Sequence, residues 1–324
     1  MAQQGGVDLD ALTDLCTPWC IRVVVSLRIA QHLAAGIGGV DQLAAAGCDA
    51  GALQHVLGYL VERGLFEEPS RGQFTLNDAA RGLLEPRFLE LDGIGGRMAY
   101  AWSTLPDYVK SGRPAYQEMF GLPFWEDLAA HPEVAASFDE LMGVAGHGTP
   151  DPDFDLAGGW EDVRTVVDVG GGTGAMLAEI LRARPTLRGT LVDLPGTVAR
   201  AGETFETAGV ADRATIIGQS FFDELPAGAD LYVLKKVLND WPDTETRAIL
   251  RRCAEAARPH GRVVVLGGVG PDDAPRVLTN EMVLVGGNHN TLTEFTALAR
   301  DAGLEIVAAE TQAPGRFVVE GRPV

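Results

Sequence analysis

The sequence predicts an α/β protein with an open, mostly parallel sheet that follows a smaller helical domain. Two observations lead to this prediction. From residue 165 onward, short runs rich in valine and isoleucine alternate with segments of helical periodicity, a pattern typical of repeated βα units. The first of these units contains the turn Gly170-Gly171-Gly172-Thr173-Gly174 between its strand and its helix. Nucleotide-type ligands bind at such turns.

The composition supports a globular protein and disfavours two classes of partner. The chain has 324 residues, of which 46% are hydrophobic, and a net charge of −19. So acidic a surface repels nucleic acids and anionic lipid. No apolar run is long enough to span a bilayer, the N-terminus lacks a signal-peptide pattern, and the four cysteines show no Cys-x-x-Cys spacing. We therefore expect a cytoplasmic protein.

Residues 1–90 are predicted to form a winged-helix-like domain. Apolar residues recur at helical spacing from Leu9 to about Ala35, and we expect Pro18 to kink or divide this helix. Two short helices follow at 40–46 and 49–63, and then a hairpin. Segment 49–68 carries four acidic residues against one arginine. Phosphate contacts need the opposite charge, so a dimerisation role is favoured over DNA binding.

The next segment, residues 91–150, is predicted to be a helical region ending in a turn-rich linker. It contains many aromatic residues, which can form either a core or the wall of a pocket for an aromatic ligand. The predicted substrate-binding residues come mainly from this region: Trp102, Phe120, Phe124, Met142, His147 and, from the later domain, Met282.

Residues 151–324 are predicted to form the sheet domain. Its strands are expected at 165–169, 189–193, 214–218, 231–237 and 262–267. Its helices are expected at 175–183, 197–207, 244–257 and 292–302. A terminal pair, 304–311 and 316–320, is expected to close the sheet as an antiparallel hairpin.

Two aspartates favour S-adenosylmethionine (SAM) over a dinucleotide as the ligand of the glycine turn. The spacing Gly170-x-Gly172-x-x-Ala175 formally satisfies the dinucleotide pattern, which alone is a weak signal. Asp168 lies two residues before the first glycine, where it could hold a ligand ammonium group. Asp193 ends the next strand, where a carboxylate can bond both ribose hydroxyls. SAM carries all of these groups, and S-adenosylhomocysteine would be its product.

Four stretches in the right order resemble the small-molecule O-methyltransferases of the caffeate/acetylserotonin type. They lie at residues 168–174, 191–196, 220–226 and 234–243. Segments 17–28 and 120–127 are similar to the actinobacterial branch that modifies aromatic polyketides, which includes carminomycin 4-O-methyltransferase and aclacinomycin 10-hydroxylase.

The resemblance implies a Rossmann-like class I methyltransferase sheet and a homodimer formed through the N-terminal domain. It also implies methylation of a phenolic or polyketide-derived hydroxyl in antibiotic biosynthesis. It assigns cofactor binding to Asp168, Gly170, Gly172, Asp193, Leu194, Ser220, Phe221 and Lys235.

The expected catalytic positions are where this sequence departs from the family. The histidine base before Asp-Trp is replaced by Asn239, and the two glutamates by Gly267 and His289. The candidate catalytic residues are therefore Asn239, Asp240 and His289.

Three interpretations stay open at this point. His289 could act as a replacement base while Asn239 orients the substrate oxygen, or it could be an ordinary surface-loop histidine. In-line positioning of oxygen and methyl could suffice without a base, since it is worth ~7–11 kcal/mol. The fold could also serve a hydroxylase, decarboxylase or cyclase that retains SAM. A non-enzymatic winged-helix regulator is disfavoured by the acidic charge, and no ligand spacing for a metal is present.

Overall fold

The computed structural model describes residues 7–45, 47–85, 88–142 and 150–324. Contacts between residues divide the chain into two compact units, one ending at Ala99 and the other beginning at Tyr100. In the described ranges, no helix is both long and apolar enough to cross a membrane.

The first unit is mainly helical with one small hairpin. Its helices are α1 (Leu9–Leu12), α2 (Cys16–Ser26), α3 (Ile29–Ala34), α4 (Val40–Ala44) and α5 (Ala50–Glu62), and its strands are β1 (Glu67–Ser70) and β2 (Gln73–Thr75). The strands pair antiparallel. Their apolar residues form a core that includes Leu53, Leu57, Leu60, Phe66 and Phe74. Two helices followed by a hairpin is the predicted winged-helix order.

The expectation that Pro18 breaks the first helical pattern was wrong. Pro18 lies in the first turn of α2, where a missing backbone amide leaves no helical hydrogen bond unmade. Asp14 precedes this helix, and its Oδ1 accepts hydrogen bonds from the amides of Cys16 and Thr17. The chain turns again at Arg28, whose φ of 52° is left-handed. The interruptions therefore lie on either side of α2.

The second unit begins with the aromatic-rich helices. The unit boundary falls within α6 (Ile94–Ala101), which is followed by α7 (Leu105–Ser111), α8 (Tyr116–Phe120), α9 (Phe124–Ala130) and α10 (Pro132–Met142).

A seven-stranded sheet forms the centre of this unit. Its strands are β3 (Thr165–Val169), β4 (Arg188–Asp193), β5 (Ala214–Gly218), β6 (Leu231–Lys235), β7 (Arg262–Leu266), β10 (Leu304–Gln312) and β11 (Arg316–Pro323). Their spatial order is β10-β11-β7-β6-β3-β4-β5. The first five pair in parallel, whereas β11 pairs antiparallel with both β7 and β10. The predicted parallel sheet with a terminal hairpin is confirmed.

Helices cover both faces of this sheet, as alternating βα units require. They are α11 (Ala175–Ala183), α12 (Ala201–Thr207), α13 (Asp243–Ala257) and α15 (Leu292–Asp301). The short helix α14 (Asn280–Leu284) packs instead beside the turn at Leu238–Asp240. Neighbouring residues of β3 point to opposite faces: Val166 belongs to the core with Leu177 of α11, and Val167 to the core with Ile249 of α13. A further small parallel pair joins β8 (Val269–Gly270) to β9 (Asn290–Thr291).

Candidate active site

The glycine turn connects β3 to α11, and its backbone requires glycine. Gly170 and Gly172 have φ values of 70° and 63°, which side chains with a Cβ rarely adopt. A Cβ on Gly170 would lie 2.7 Å from Val237 Cγ2, whereas one on Gly172 would meet nothing within 4 Å. Side chains therefore fill the space beside Gly170, whereas the space beside Gly172 is open.

Asp168 is a buried carboxyl directly beneath this turn. It is 1% exposed, and its Oδ2 has no hydrogen-bond partner in the described part of the chain. Burial and the nearby Asp193 raise its pKa to about 7, although Lys235 and the amide of Leu177 oppose the rise. A buried acceptor without a partner in such a place suits a cationic ligand group.

Asp193 ties the end of β4 to the glycine turn. Its Oδ2 accepts a hydrogen bond of 2.8 Å from the Gly172 amide, and its Oδ1 accepts one of 2.7 Å from the Leu194 amide. Burial raises the pKa of Asp193, against the effect of these two amides. The Leu194 side chain is 45% exposed at this edge. The two strands are neighbours, so the turn and the carboxylate form one surface.

The remaining predicted cofactor residues lie at the same edge of the sheet. Phe221 follows β5, and its ring lies 3.4 Å from a Cβ built on Gly170. Ser220 precedes it and accepts a hydrogen bond of 3.2 Å from the Phe222 amide. Lys235 ends β6, where burial and the neighbouring Lys236 lower its pKa while Asp168 raises it.

This geometry fits SAM. The buried Oδ2 of Asp168 offers an acceptor to the ammonium group, and the half-buried Asp193 offers one to the ribose. The positive-φ glycines let the ligand approach the backbone. The structure thus brings the predicted cofactor residues together, and their individual roles stay predictions.

Asn239 lies at the carboxyl end of β6, in the short 3-10 turn Leu238–Asp240. It is 7% exposed, its Nδ2 donates a hydrogen bond of 2.9 Å to Asp240 Oδ1, and its Oδ1 lacks a hydrogen-bond partner among the described residues. Two glycines hold its backbone. A Cβ on Gly268 would lie 3.0 Å from the Asn239 amide nitrogen, and one on Gly287 only 1.9 Å from the Asn239 carbonyl oxygen.

The carboxyl of Asp240, next to Asn239, has a strongly raised pKa. Burial and the carboxylate of Glu281 on α14 raise its pKa to about 8, against the attraction of Lys236. At neutral pH this carboxyl is therefore mostly protonated. Perturbed groups of this kind are concentrated at functional sites.

Gly267 and His289, which stand where the family has glutamates, lie near Asn239 in two different environments. Gly267 directly follows β7 with a φ of 89°, and a Cβ there would meet Lys236 Cγ at 3.2 Å. His289 is exposed in the loop between α14 and β9, two residues beyond Gly287. The fold therefore brings the loop of His289 against Asn239, while the imidazole itself lies in an exposed position.

Two predicted substrate residues, Phe120 and Phe124, belong to a continuous series of aromatic contacts. Ring centroids are 4.4 Å apart for Tyr116 and Phe120, 5.3 Å for Tyr116 and Phe124, and 5.0 Å for Phe124 and Trp125. Trp125 stacks on Trp241 at 5.7 Å. Trp241 in turn contacts the ring of Phe221 at 5.8 Å. The series therefore runs from α8 to the glycine turn.

The other predicted substrate residues are dispersed. Trp102 donates a hydrogen bond of 2.7 Å from Nε1 to Asn280 Oδ1, which places it beside the start of α14. Met282 lies on the same helix, half-buried, whereas Met142 is 40% exposed at the end of α10. His147 lies outside the described residues.

Two groups of residues were missed by the sequence reasoning. Glu281 acts on Asp240, although no spacing in the sequence connects the two residues. Tyr116 donates a hydrogen bond of 2.6 Å to the fully buried Asp127, whose Oδ1 lies 3.0 Å from His131 Nδ1. The positions of Asp127 and His131, four apart on a helix, were the available signal.

No group of three or more metal-binding side chains occurs in the described parts of the chain.

Comparison with known proteins agrees with this geometry. The O-methyltransferase domain family matches residues 102–305. The sequence is 38% identical over 317 residues to 2,7-dihydroxy-5-methyl-1-naphthoate 7-O-methyltransferase of Streptomyces carzinostaticus, covering 94% of each protein. It is 37% identical over 327 residues to aclacinomycin 10-hydroxylase RdmB of Streptomyces purpurascens, covering 94% of this chain and 86% of that protein.

A solved structure provides the corresponding match in three dimensions. The O-methyltransferase NcsB1 from neocarzinostatin biosynthesis, in complex with SAM and 2-hydroxy-5-methyl naphthoic acid, has a TM-score of 0.87 and 37% sequence identity. The match covers 99% of this chain and 100% of that one. Sequence, fold and site geometry agree, and the chain belongs to the O-methyltransferase family.

Proposed function

We propose that this protein transfers the methyl group of SAM to a phenolic hydroxyl of a polyketide-derived aromatic compound, such as a hydroxynaphthoic acid, in natural-product biosynthesis. SAM supplies an activated methyl group on a sulfonium centre. The protein supplies position: Asp168 and Asp193 hold the two ends of the cofactor, and the loops after β6 and β7 hold the acceptor hydroxyl in line with the methyl group.

The series of aromatic contacts from Phe120 to Phe221 is the observation that carries this proposal. Its last ring, the half-buried Phe221, lies against Gly170, so a partly buried series of aromatic rings adjoins the turn on which the cofactor binds. Flat aromatic ligands bind well against such surfaces because edge and face contacts add to the burial of apolar area. The relatives that act on or bind naphthoic acids support the same class of substrate.

Mass spectrometry with a panel of hydroxynaphthoic acids and other phenols tests this proposal. We expect one acid to gain the mass of a methylene group while S-adenosylhomocysteine forms in equal amount. The Asp193→Ala variant, which loses the ribose contact, is the control and should give no product. Tight binding of SAM without methylation of any phenol would contradict the proposal.

A second candidate, hydroxylation, is favoured by the replacement of the family's base at Asn239 and Gly267 and by the 37% identical hydroxylase relative. The same assay separates the two, because hydroxylation adds the mass of one oxygen atom and leaves SAM unconsumed.

We also propose that two copies associate through the first unit. Val7, Leu9, Leu12 and Leu15 are each between 68% and 73% exposed. A group of exposed apolar side chains is typical of a surface that a partner covers. Sedimentation velocity should give a dimer for the wild type and a shift to monomer for Leu12→Lys, whereas a monomeric wild type would contradict the proposal.

A further inference from the structure

Methylation of a hydroxyl group leaves a proton that must be accepted. Two of the three residues at the family's usual positions cannot accept this proton in this chain, and the third has an exposed side chain. The side-chain amide of Asn239 is not a base at neutral pH, Gly267 has no side chain, and His289 is exposed. The half-buried carboxyl of Asp240 lies next to Asn239.

The side chain of Asn239 points to its neighbour. Its Nδ2 donates a hydrogen bond to Asp240 Oδ1 at 2.9 Å, and its own Oδ1 is buried without a hydrogen-bond partner in the described ranges. Burying a polar atom unpaired is costly, which indicates that a ligand group completes it. Both residues follow β6, the strand beside β3, whose end carries the glycine turn.

The backbone of this pair has little freedom. Gly268 packs against the Asn239 amide, and Gly287 against its carbonyl and against the carbonyl carbon of Asp240. A larger residue at Gly287 would collide with the Asn239 oxygen at 1.9 Å. The amide and the carboxyl are therefore held in a fixed mutual geometry before any ligand binds.

We propose that Asp240 accepts the proton of the substrate hydroxyl, and that Asn239 positions both the carboxylate and the hydroxyl. The inference rests on the methyltransferase function proposed above. Asn239 Nδ2 holds Asp240 Oδ1, which leaves Asp240 Oδ2 as the accepting atom. The vacant Asn239 Oδ1 contacts the hydroxyl and fixes its orientation.

The proposed reaction is a displacement at the methyl carbon of SAM, in which the hydroxyl oxygen replaces the sulfur. The hydroxyl oxygen forms a bond to the methyl carbon, and the carbon–sulfur bond breaks with its electron pair left on sulfur. The hydroxyl proton passes to Asp240 Oδ2 and later to water. The products are an aryl methyl ether, a neutral thioether and a released proton.

The charged groups around Asp240 support this assignment. Glu281 on α14 and the burial of the site raise the pKa of Asp240 to about 8, and Lys236 after β6 opposes the rise. Asp243 at the start of α13 faces Asn288 instead, at 3.3 Å. A carboxyl poised near neutral pH is a far better base for a phenol than an ordinary aspartate, because general bases act best when their pKa lies near the working pH.

The pH dependence of kcat in Asp240→Asn, with Asp243→Asn as the matched control, tests the proposal. In the wild type, kcat should rise with pH through an apparent pKa near 8. The rise should be the same for two hydroxynaphthoic acids whose hydroxyl pKa values differ. Asp240→Asn should lose about a hundredfold in kcat and this pH dependence, while the Kd for SAM from calorimetry stays within about twofold. Asp243→Asn should behave as the wild type.

A rescue variant separates proton acceptance from a structural role. In Asn239→His combined with Asp240→Asn, the new imidazole can take the proton, so kcat should recover by at least about tenfold over the single variant. An Asp240→Asn enzyme that retains its kcat and pH profile would overturn the proposal, as would a loss of kcat that comes with weakened SAM binding and is not rescued. A wild type that methylates no phenol would instead overturn the proposed function itself.

Discussion

The carboxyl edge of the sheet has two neighbouring parts, a cofactor edge after β3 and β4 and a catalytic edge after β6 and β7. Both rely on glycines to bring backbone segments together, and they differ in the side chains that they present. At the ends of β3 and β4, positive-φ glycines bring the backbone close to Asp168 and Asp193. At the catalytic edge, Gly268 after β7 and Gly287 in the loop after α14 pack against the backbone of Asn239. The first edge carries the side chains expected for its ligand, whereas the second has lost the expected base.

The difference teaches that backbone geometry and catalytic chemistry can change independently in this fold. Gly287 packs closely against Asn239, although the side chain of Asn239 has no basic group. A frame of this kind can keep the substrate positioned while a different side chain takes over the proton. Function therefore has to be argued from the site itself, because the fold alone allows several reactions.

The largest expected effect is at the cofactor edge, in Asp168→Asn. The amide keeps the shape but loses the charge, and a hydrogen bond to a charged group contributes about 1.5–3 kcal/mol. We expect the Kd for SAM, measured by calorimetry, to rise by about 10- to 150-fold. Unchanged binding would show that the ammonium group does not depend on Asp168.

The same variant should be more stable than the wild type at high pH. Burial raises the pKa of Asp168 from 3.8 to about 7, so between these values the folded chain retains a proton that the unfolded chain has lost. The stability of the wild type therefore falls as the pH rises across this interval. The Tm of Asp168→Asn should exceed that of the wild type above pH 7, and the gain should vanish below about pH 4. An equal gain in Tm at high and low pH would indicate that the variant is stabilised by better packing and not by the loss of the carboxylate charge.

The second effect is at the catalytic edge, in Gly287→Ala. The added Cβ would lie 1.9 Å from the Asn239 oxygen, so the backbone of the Asn239 turn must shift. A displacement of about 1 Å can cost about a hundredfold in rate, and we expect kcat to fall by more than about tenfold with an unchanged Kd for SAM.

Gly202→Ala provides the matched control for this variant. Gly202 lies in α12, and a Cβ there meets nothing within 4 Å. Alanine should leave kcat unchanged and stabilise the chain by about 0.5–1 kcal/mol, because glycine is unfavourable within a helix. If Gly287→Ala weakened SAM binding as strongly as it lowered kcat, cofactor binding and catalysis would not be functions of two independent edges.

The sequence was informative where spacing encodes backbone shape. The strand at 165–169 and the helix at 175–183 have the predicted bounds, because valines and a glycine turn specify them locally. The strand expected at 231–237 ends at Lys235, since Lys236 takes a left-handed φ of 53° that its residue type does not announce. The proximity of Glu281 to Asp240 was equally hidden, because only tertiary packing joins residues so distant in sequence.

The smallest expected effect is His289→Asn, and it decides between two hypotheses for the catalytic edge. The imidazole is exposed, so its loss removes no buried contact, and asparagine keeps the polarity of the loop. If Asp240 accepts the proton, kcat should change by less than about threefold, because a general base normally contributes 10²–10⁴-fold and His289 would not be one. Initial rates across pH measure this directly. A loss of about a hundredfold, with the pH dependence of the wild type abolished, would identify His289 as the replacement base. Asn239 would then orient the substrate for it, and the raised pKa of Asp240 would reflect only its burial next to Glu281.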